Sequence, residues 1–192
     1  IDSDNPIAFM GLYRLSSLPE LAPRFATIAE ATVTKHAEKA FFRSKLADFY
    51  MVSGQWIEAK RHYLDLITQS MPHEQRGLAL NNLAVIYTAE QGYPQAVQFS
   101  QQALKLLPKS ASVLDTAGWA LTLDGKPDDG LYLLRQAYSM TSSDPEVLYH
   151  LAYALVQLNK QTEAKRILKR LGSIETHRFK QEAAQLLAKL EG

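Results

Sequence analysis

Residues Gly77 to Ser110, GLALNNLAVIYTAEQGYPQAVQFSQQALKLLPKS, decide the fold. Numbered from Gly77, Leu80 falls at position 4, Leu83 at 7, Ala84 at 8, Tyr87 at 11, Ala96 at 20, Ala103 at 27 and Pro108 at 32. Apolar residues three and four apart lie on one face of a helix, so the spacing predicts two amphipathic helices. Gln91-Gly92-Tyr93-Pro94 is the turn between them. The small residues at positions 8, 20 and 27 let the two helices pack closely. Pro108 stops the second helix, because proline has no amide to donate to the preceding turn.

The same frame recurs. From Ala111, Leu114, Ala117, Gly118, Leu121, Gly125, Gly130 and Ala137 occupy positions 4, 7, 8, 11, 15, 20 and 27. From Pro145, Leu148, Leu151, Ala152, Leu155, Ala164 and Leu171 do so without the residue at 15. From Ala40, Leu46, Ala47, Tyr50, Gly54, Trp56, Ala59 and Tyr63 fit at 7, 8, 11, 15, 17, 20 and 24, and Glu74 to Arg76 are inserted before the next unit. Arg43 and Ser142 depart from the usual apolar residue and proline. A helix–turn–helix with this period and these small residues resembles the tetratricopeptide repeat. The resemblance implies an all-α fold, a right-handed α-α superhelix of stacked hairpins with a C-terminal capping helix. The repeats are read as 40–73, 77–110, 111–144 and 145–178, the last merging into a cap that runs to residue 192. Residues 1–39 are read as an N-terminal helical hairpin or degenerate repeat.

Within 1–39, one helix is expected from Pro6 to about Ser16 and another from Pro19 or Pro23 to Thr32, with Ser17-Leu18-Pro19-Glu20 as a capping box. Phe25 stands where the frame wants a small residue. Thr34 is expected to cap a long helix to about Ser53, followed by a helix from Trp56 to Ser70. Ser143-Asp144-Pro145-Glu146 reads as a helix start, with a capping side chain and proline at the first position. The last helix is expected over His177 to Leu190.

The 192 residues are 46% hydrophobic, enough for a continuous core between stacked repeats. A net charge of +1 calls for neither nucleic acid nor an anionic membrane, and with no cysteine there is no disulfide or thiolate chemistry. No apolar run approaches the ~20 residues that span a bilayer. The chain opens on Ile1 rather than Met, and is expected to be a fragment or a processed chain.

Catalysis is not expected. The five histidines, His36, His62, His73, His150 and His177, are scattered, and none forms the His-Glu-x-x-His pattern of a helical zinc site. There is no phosphate loop and no nucleophile elbow. In Asp124-Gly-Lys-Pro-Asp-Asp-Gly130, Lys126 stands at what would be a calcium-ligand position. No metal and no cofactor is therefore expected. Lys160 to Arg170 carries five cations and reads as a solvated outer face, since no aromatic residue interleaves with it.

The family resemblance implies that positions 2, 5, 9, 12 and 13 of each first helix line a concave surface. Among the residues so placed, Asp48, Asn81, Val85, Asp115, Trp119, Tyr149 and Tyr153 are the candidate partner-binding set, with Glu146 beside them. Aromatic surface flanked by hydrogen-bonding groups suits an extended peptide. The carboxylate clamp that some members use for chaperone tails is not matched. Ser44 and Asp48 replace its cation and amide, only Asn82 agrees, and Ser112 and Thr116 supply no positive charge. A neutral, apolar or basic ligand is expected instead.

The strings Leu114 to Trp119, Gly130 to Ala137, Pro145 to Ala152 and Asn5 to Leu15 also resemble repeats of bacterial tetratricopeptide lipoproteins of PEP-CTERM and exopolysaccharide-export systems. That resemblance implies a scaffold of the cell envelope, facing the periplasm. The expected function is non-catalytic protein–protein interaction. The alternative is a structural or self-assembling module, a homo-oligomer without a peptide ligand.

Overall fold

The computed structural model describes residues 4–191. Among them are eleven α-helices and no strand. In order they are α1 Pro6–Leu15, α2 Ala22–Lys35, α3 Ala40–Val52, α4 Trp56–Leu66, α5 His73–Ala89, α6 Tyr93–Leu106, α7 Ala111–Leu123, α8 Pro127–Met140, α9 Pro145–Gln157, α10 Gln161–Gly172 and α11 Lys180–Glu191. Each packs on the next, and α5 on α7 and α7 on α9 as well. The chain is thus a two-layer helical solenoid, with α5, α7 and α9 forming its inner layer.

One local device repeats. The residue at position 15 of each unit has positive φ: Gly54 (72°), Gln91 (62°), Gly125 (79°) and Asn159 (59°). The amide after it donates back to the carbonyl at position 11, as Gln55 to Tyr50 (2.9 Å), Gly92 to Tyr87 (2.8 Å), Lys126 to Leu121 (2.9 Å) and Lys160 to Leu155 (2.9 Å). This Schellman closure satisfies an orphan carbonyl and reverses the chain within two residues. It aims the next helix back along the first.

The small residues then let each hairpin close. Ala47 and Ala59, Ala84 and Ala96, and Ala152 and Ala164 are fully buried. At α7 and α8 the approach is closer still. A methyl group on Gly130 would lie 2.6 Å from the Gly118 carbonyl and against the Thr122 hydroxyl. At the C-terminal end Leu148, Leu151, Leu155, Ile167, Leu168 and Leu171 form a buried core, which Leu186, Leu187 and Leu190 of α11 cover.

Several boundaries differ from expectation. No long helix starts at Thr34, which lies in the last turn of α2 and donates its hydroxyl to the Glu30 carbonyl (2.8 Å). The chain turns at residues 36–39, where the Ala37 carbonyl accepts from Gln69 Nε2 (3.0 Å), so the periodicity ran across a turn. Ser17-Leu18-Pro19-Glu20 starts no helix. Ser17 instead closes α1 on the Arg14 carbonyl (3.0 Å), and Leu21, before α2, makes no side-chain cap. Helix α4 ends at Leu66 rather than Ser70, in a turn that Gln69 closes on the Leu66 carbonyl (3.0 Å). The inserted Glu74 to Arg76 add a first turn to α5, which reaches 17 residues. The last helix begins at Lys180, not His177, which leaves His177 to Phe179 in the connection. Asp144 caps α9 as expected, its Oδ1 accepting from the Glu146 amide (2.8 Å).

At the N-terminal end, Phe25 fills the place of a small residue and makes an aromatic core. Phe9, Phe25, Phe42 and Phe49 are all buried. Phe9 meets Phe25 edge-on at 5.5 Å and Phe42 at 4.9 Å, and Phe25 meets Phe49 at 4.9 Å. Edge-to-face contact sets the positive ring edge against the negative face, the preferred geometry for such pairs.

Candidate functional site

The inner layer carries one half-open region, between α5, α7 and α9. It begins with a buried pair. Asp115 on α7 is 6% exposed and His150 on α9 is 3% exposed. The two are 35 residues apart in sequence, and Asp115 Oδ2 lies 2.9 Å from His150 Nδ1. Asp115 Oδ1 and His150 Nε2 are buried with no hydrogen-bond partner. A buried polar atom left unpaired costs about 1–3 kcal/mol, so this pair holds donor and acceptor capacity in reserve.

Aromatic rings wall the pair. Trp119, one turn on from Asp115, stacks flat on His150 at 4.2 Å and 8°. Tyr153 meets Trp119 edge-on at 5.1 Å, and Tyr149 does so at 6.1 Å. Trp119, Tyr149 and Tyr153 are each only half-buried. Burial pushes the Tyr149 hydroxyl up from its ordinary value, with Glu182 and Tyr153 adding to the effect. Tyr149 therefore acts as a neutral hydrogen-bonding surface.

Two adjoining hollows open beside the pair. One, of about 250 Å³, is lined by Trp56, Val85, Asp115, Trp119, Glu146 and Arg178 among others. The other, of about 550 Å³, shares Val85, Asp115, Glu146 and Arg178 and adds Asn81 and Asp144. The structure thus brings Asn81, Val85, Asp115 and Trp119 to one groove, with Tyr149 and Tyr153 against Trp119. Asp48 does not join them. It accepts from Lys45 (2.8 Å) and from the Tyr63 hydroxyl (2.9 Å), which itself accepts from Asn82 (2.8 Å). The two groups that the clamp frame singled out, Asp48 and Asn82, are thus committed to holding α3, α4 and α5 together.

Three members of the region were not singled out by sequence. His150 was one of five scattered histidines. Arg178 and Phe179 were read as part of the last helix. Instead Phe179 stacks flat on Tyr149 at 4.3 Å and 7°, and Arg178 donates to Glu146 Oε1. A pairing between positions one period plus one residue apart is the signal that could have found His150.

No metal was expected, yet Asp115, Glu146 and His150 each offer a ligand atom within 4.8 Å of the other two. His150 Nδ1 is turned to Asp115, and Glu146 is engaged by the Arg178 guanidinium. The cation that this arrangement already holds is an arginine. Two cations of the basic run pair with neighbours: Arg170 donates to the Tyr138 hydroxyl (3.0 Å), and Lys169 pairs with Glu191 (3.2 Å).

Family models described as tetratricopeptide repeat match residues 77–107 and 121–190, together more than half of the chain. This is a tetratricopeptide-repeat protein. The chain is similar to the human cell division cycle protein 16 homolog, 24% identical over 146 residues, which cover 72% of the chain and 23% of that protein. Among solved structures it is similar to YrrB, described as a tetratricopeptide-repeat protein with an unusual peptide-binding site. The TM-score is 0.71 at 15% identity, over 96% of this chain and 93% of that one. MamA gives 0.72 at 14% identity, over 100% and 98% of the two chains. At these identities the structural likeness shows the fold. Among the described residues, no helix is long and apolar enough to cross a membrane.

Proposed function

We propose that this chain is a non-catalytic scaffold that holds an extended segment of a partner protein in the groove between α5, α7 and α9. The observation that carries the reading is the Asp115–His150 pair. It is buried, incompletely hydrogen-bonded and walled by half-exposed aromatic rings at the edge of an open hollow. Such a surface offers stacking area together with unused hydrogen-bonding capacity, which suits a peptide backbone and its side chains. Support also comes from YrrB, which has this fold and a peptide-binding site. Asn81, Val85, Trp119, Tyr149 and Tyr153 are its contact residues, and Asp115 its polar anchor. The resemblance of Leu114 to Trp119 and Pro145 to Ala152 to envelope lipoprotein repeats is what supports reading the scaffold as part of a bacterial exopolysaccharide-export system.

The test compares the native chain with a Trp119→Ala/Tyr153→Ala double variant, both immobilised and exposed to envelope and cytosolic extracts. Circular dichroism first establishes that both are helical. The proposal expects a captured protein from the envelope extract that the variant loses. Identical capture by both chains would count against the groove.

A further inference from the structure

The segment joining α10 to α11 folds back over the inner face. Ile174 packs on the C-terminal core. Phe179 lies flat on Tyr149 and stands edge-on to His150 at 5.6 Å and 68°. Arg178 sits over the Phe179 ring at 4.5 Å while its guanidinium engages Glu146. Arg178 lines both hollows, and among their lining residues it is the cation facing Asp115, Asp144 and Glu146. The Asp144 carboxylate caps α9, which leaves Asp115 and Glu146 for a ligand.

We propose that Asp115 and Glu146 form a seat for an arginine side chain of the partner, with an aromatic residue beside it, and that Arg178 and Phe179 occupy this seat until the partner displaces them. This deepens the peptide-groove reading and rests on it. Two carboxylates on adjacent inner helices face one hollow, and a guanidinium presents several donors in a planar fork that suits such acceptors. Asp115 Oδ1, buried and unpartnered, is the acceptor that Arg178 leaves unused. Tyr149 supplies the flat face that an aromatic neighbour of the arginine needs. The internal occupant is held weakly enough to leave. Arg178 and Glu146 are 65% and 46% exposed, and exposed ion pairs contribute little. Residues 173–179 lie outside α10 and α11, and the Phe179 carbonyl accepts from the Ala183 amide (2.9 Å), so release of Phe179 loosens only the first turn of α11.

The experiment is a selection from a displayed library of random octapeptides on the 192-residue chain and on its Arg178→Ala variant. The expected outcome is enrichment of arginine next to an aromatic residue. The selected peptides should bind Arg178→Ala about tenfold more tightly than the unaltered chain, because the competing occupant is gone. Glu146→Gln, made in the Arg178→Ala background, should weaken them about tenfold, and Asp115→Asn likewise. The exposed Glu146 side chain keeps the test valid if Asp115→Asn disturbs packing. Peptides without arginine enrichment whose binding is lost in Trp119→Ala/Tyr153→Ala would overturn the arginine seat and leave the groove standing. Peptides indifferent to Trp119 and Tyr153, or no selected peptide at all, would overturn both.

Discussion

His62 on α4 and His150 on α9 are both buried against a carboxylate and stacked on an aromatic ring, yet the two sites are finished differently. At the N-terminal site Glu30 Oε1 accepts from the Tyr50 hydroxyl (2.9 Å) and Arg61 (3.0 Å) and lies 3.1 Å from His62 Nε2. Tyr50 stacks on His62 at 5.6 Å and 16°. One carboxylate oxygen is thus shared among three groups, and it ties α2 to α3 and α4. At the C-terminal site Asp115 meets His150 and nothing else, and one of its carboxylate oxygens stays unpaired at the edge of a hollow, whereas the second ring nitrogen is unpaired in both histidines, His62 Nδ1 and His150 Nε2 alike. A carboxylate–histidine pair is in itself neutral evidence. The partners that surround it separate a structural tie from a surface built to receive something.

The largest effect that tests this contrast comes from the aromatic residues. Phe9→Ala, which empties a fully buried site in the N-terminal core, should cost about 3–5 kcal/mol in urea denaturation. Trp119→Ala, at a half-exposed site, should cost about 1–2 kcal/mol. Equal losses would erase the distinction between core and groove.

Next in size are the carboxylates. Glu30→Ala strands Tyr50 and His62 and should cost about 1–3 kcal/mol. Asp115→Asn keeps an acceptor for His150 and should cost less than about 1 kcal/mol, since one of its oxygens is unpaired already. The same denaturation curves decide between the two.

The pH dependence should come from the N-terminal site. Burial lowers the His62 pKa below its ordinary 6.5, and this outweighs the pull of Glu30. The unfolded chain therefore takes up the proton more readily, and stability falls as pH drops below 6.5 toward the folded value. Burial works against the Glu30 carboxylate, but hydrogen bonds from Tyr50 and His62 hold it below its ordinary 4.5, so its contribution is lost at still lower pH. Tyr50 is pushed up to about 12 by burial and by Glu30, and stays neutral throughout this range. Melting temperature measured from about pH 7.5 to about 5.5 should decline, and His62→Gln should flatten that decline. The smallest effect is that of Arg178→Ala, expected within about 0.5 kcal/mol of the unaltered chain because its ion pair is exposed.

The repeat was legible because close helix packing leaves a periodic demand for small residues, and Ala84, Ala96, Gly118, Gly130, Ala152 and Ala164 meet it. The chain reversals were legible at Gly54 and Gly125, where glycine marks positive φ. At Gln91 the reversal was read from the adjoining Gly92 and Pro94, and Asn159 adopts the same positive φ without a glycine. Residues 1–39 were harder, because Phe25 replaces a small residue and the α2–α3 turn carries neither glycine nor proline. In the groove, Asn81, Val85, Asp115 and Trp119, which the frame singled out, line the two adjoining hollows. Asp48 lies apart from them, and its hydrogen bonds to Lys45 and Tyr63 depend on packing that the frame does not encode. The frame could not foresee Arg178, because a segment folding back over the inner layer follows no repeat.

The chain has two tryptophans, and Trp56 and Trp119 both line the smaller hollow. Intrinsic tryptophan fluorescence, titrated with a library-selected peptide, therefore reports directly on the groove. The account predicts a saturable change in emission with the same dissociation constant as an independent binding assay. A peptide that binds by that assay and leaves the emission unchanged would place the interaction elsewhere and contradict the account.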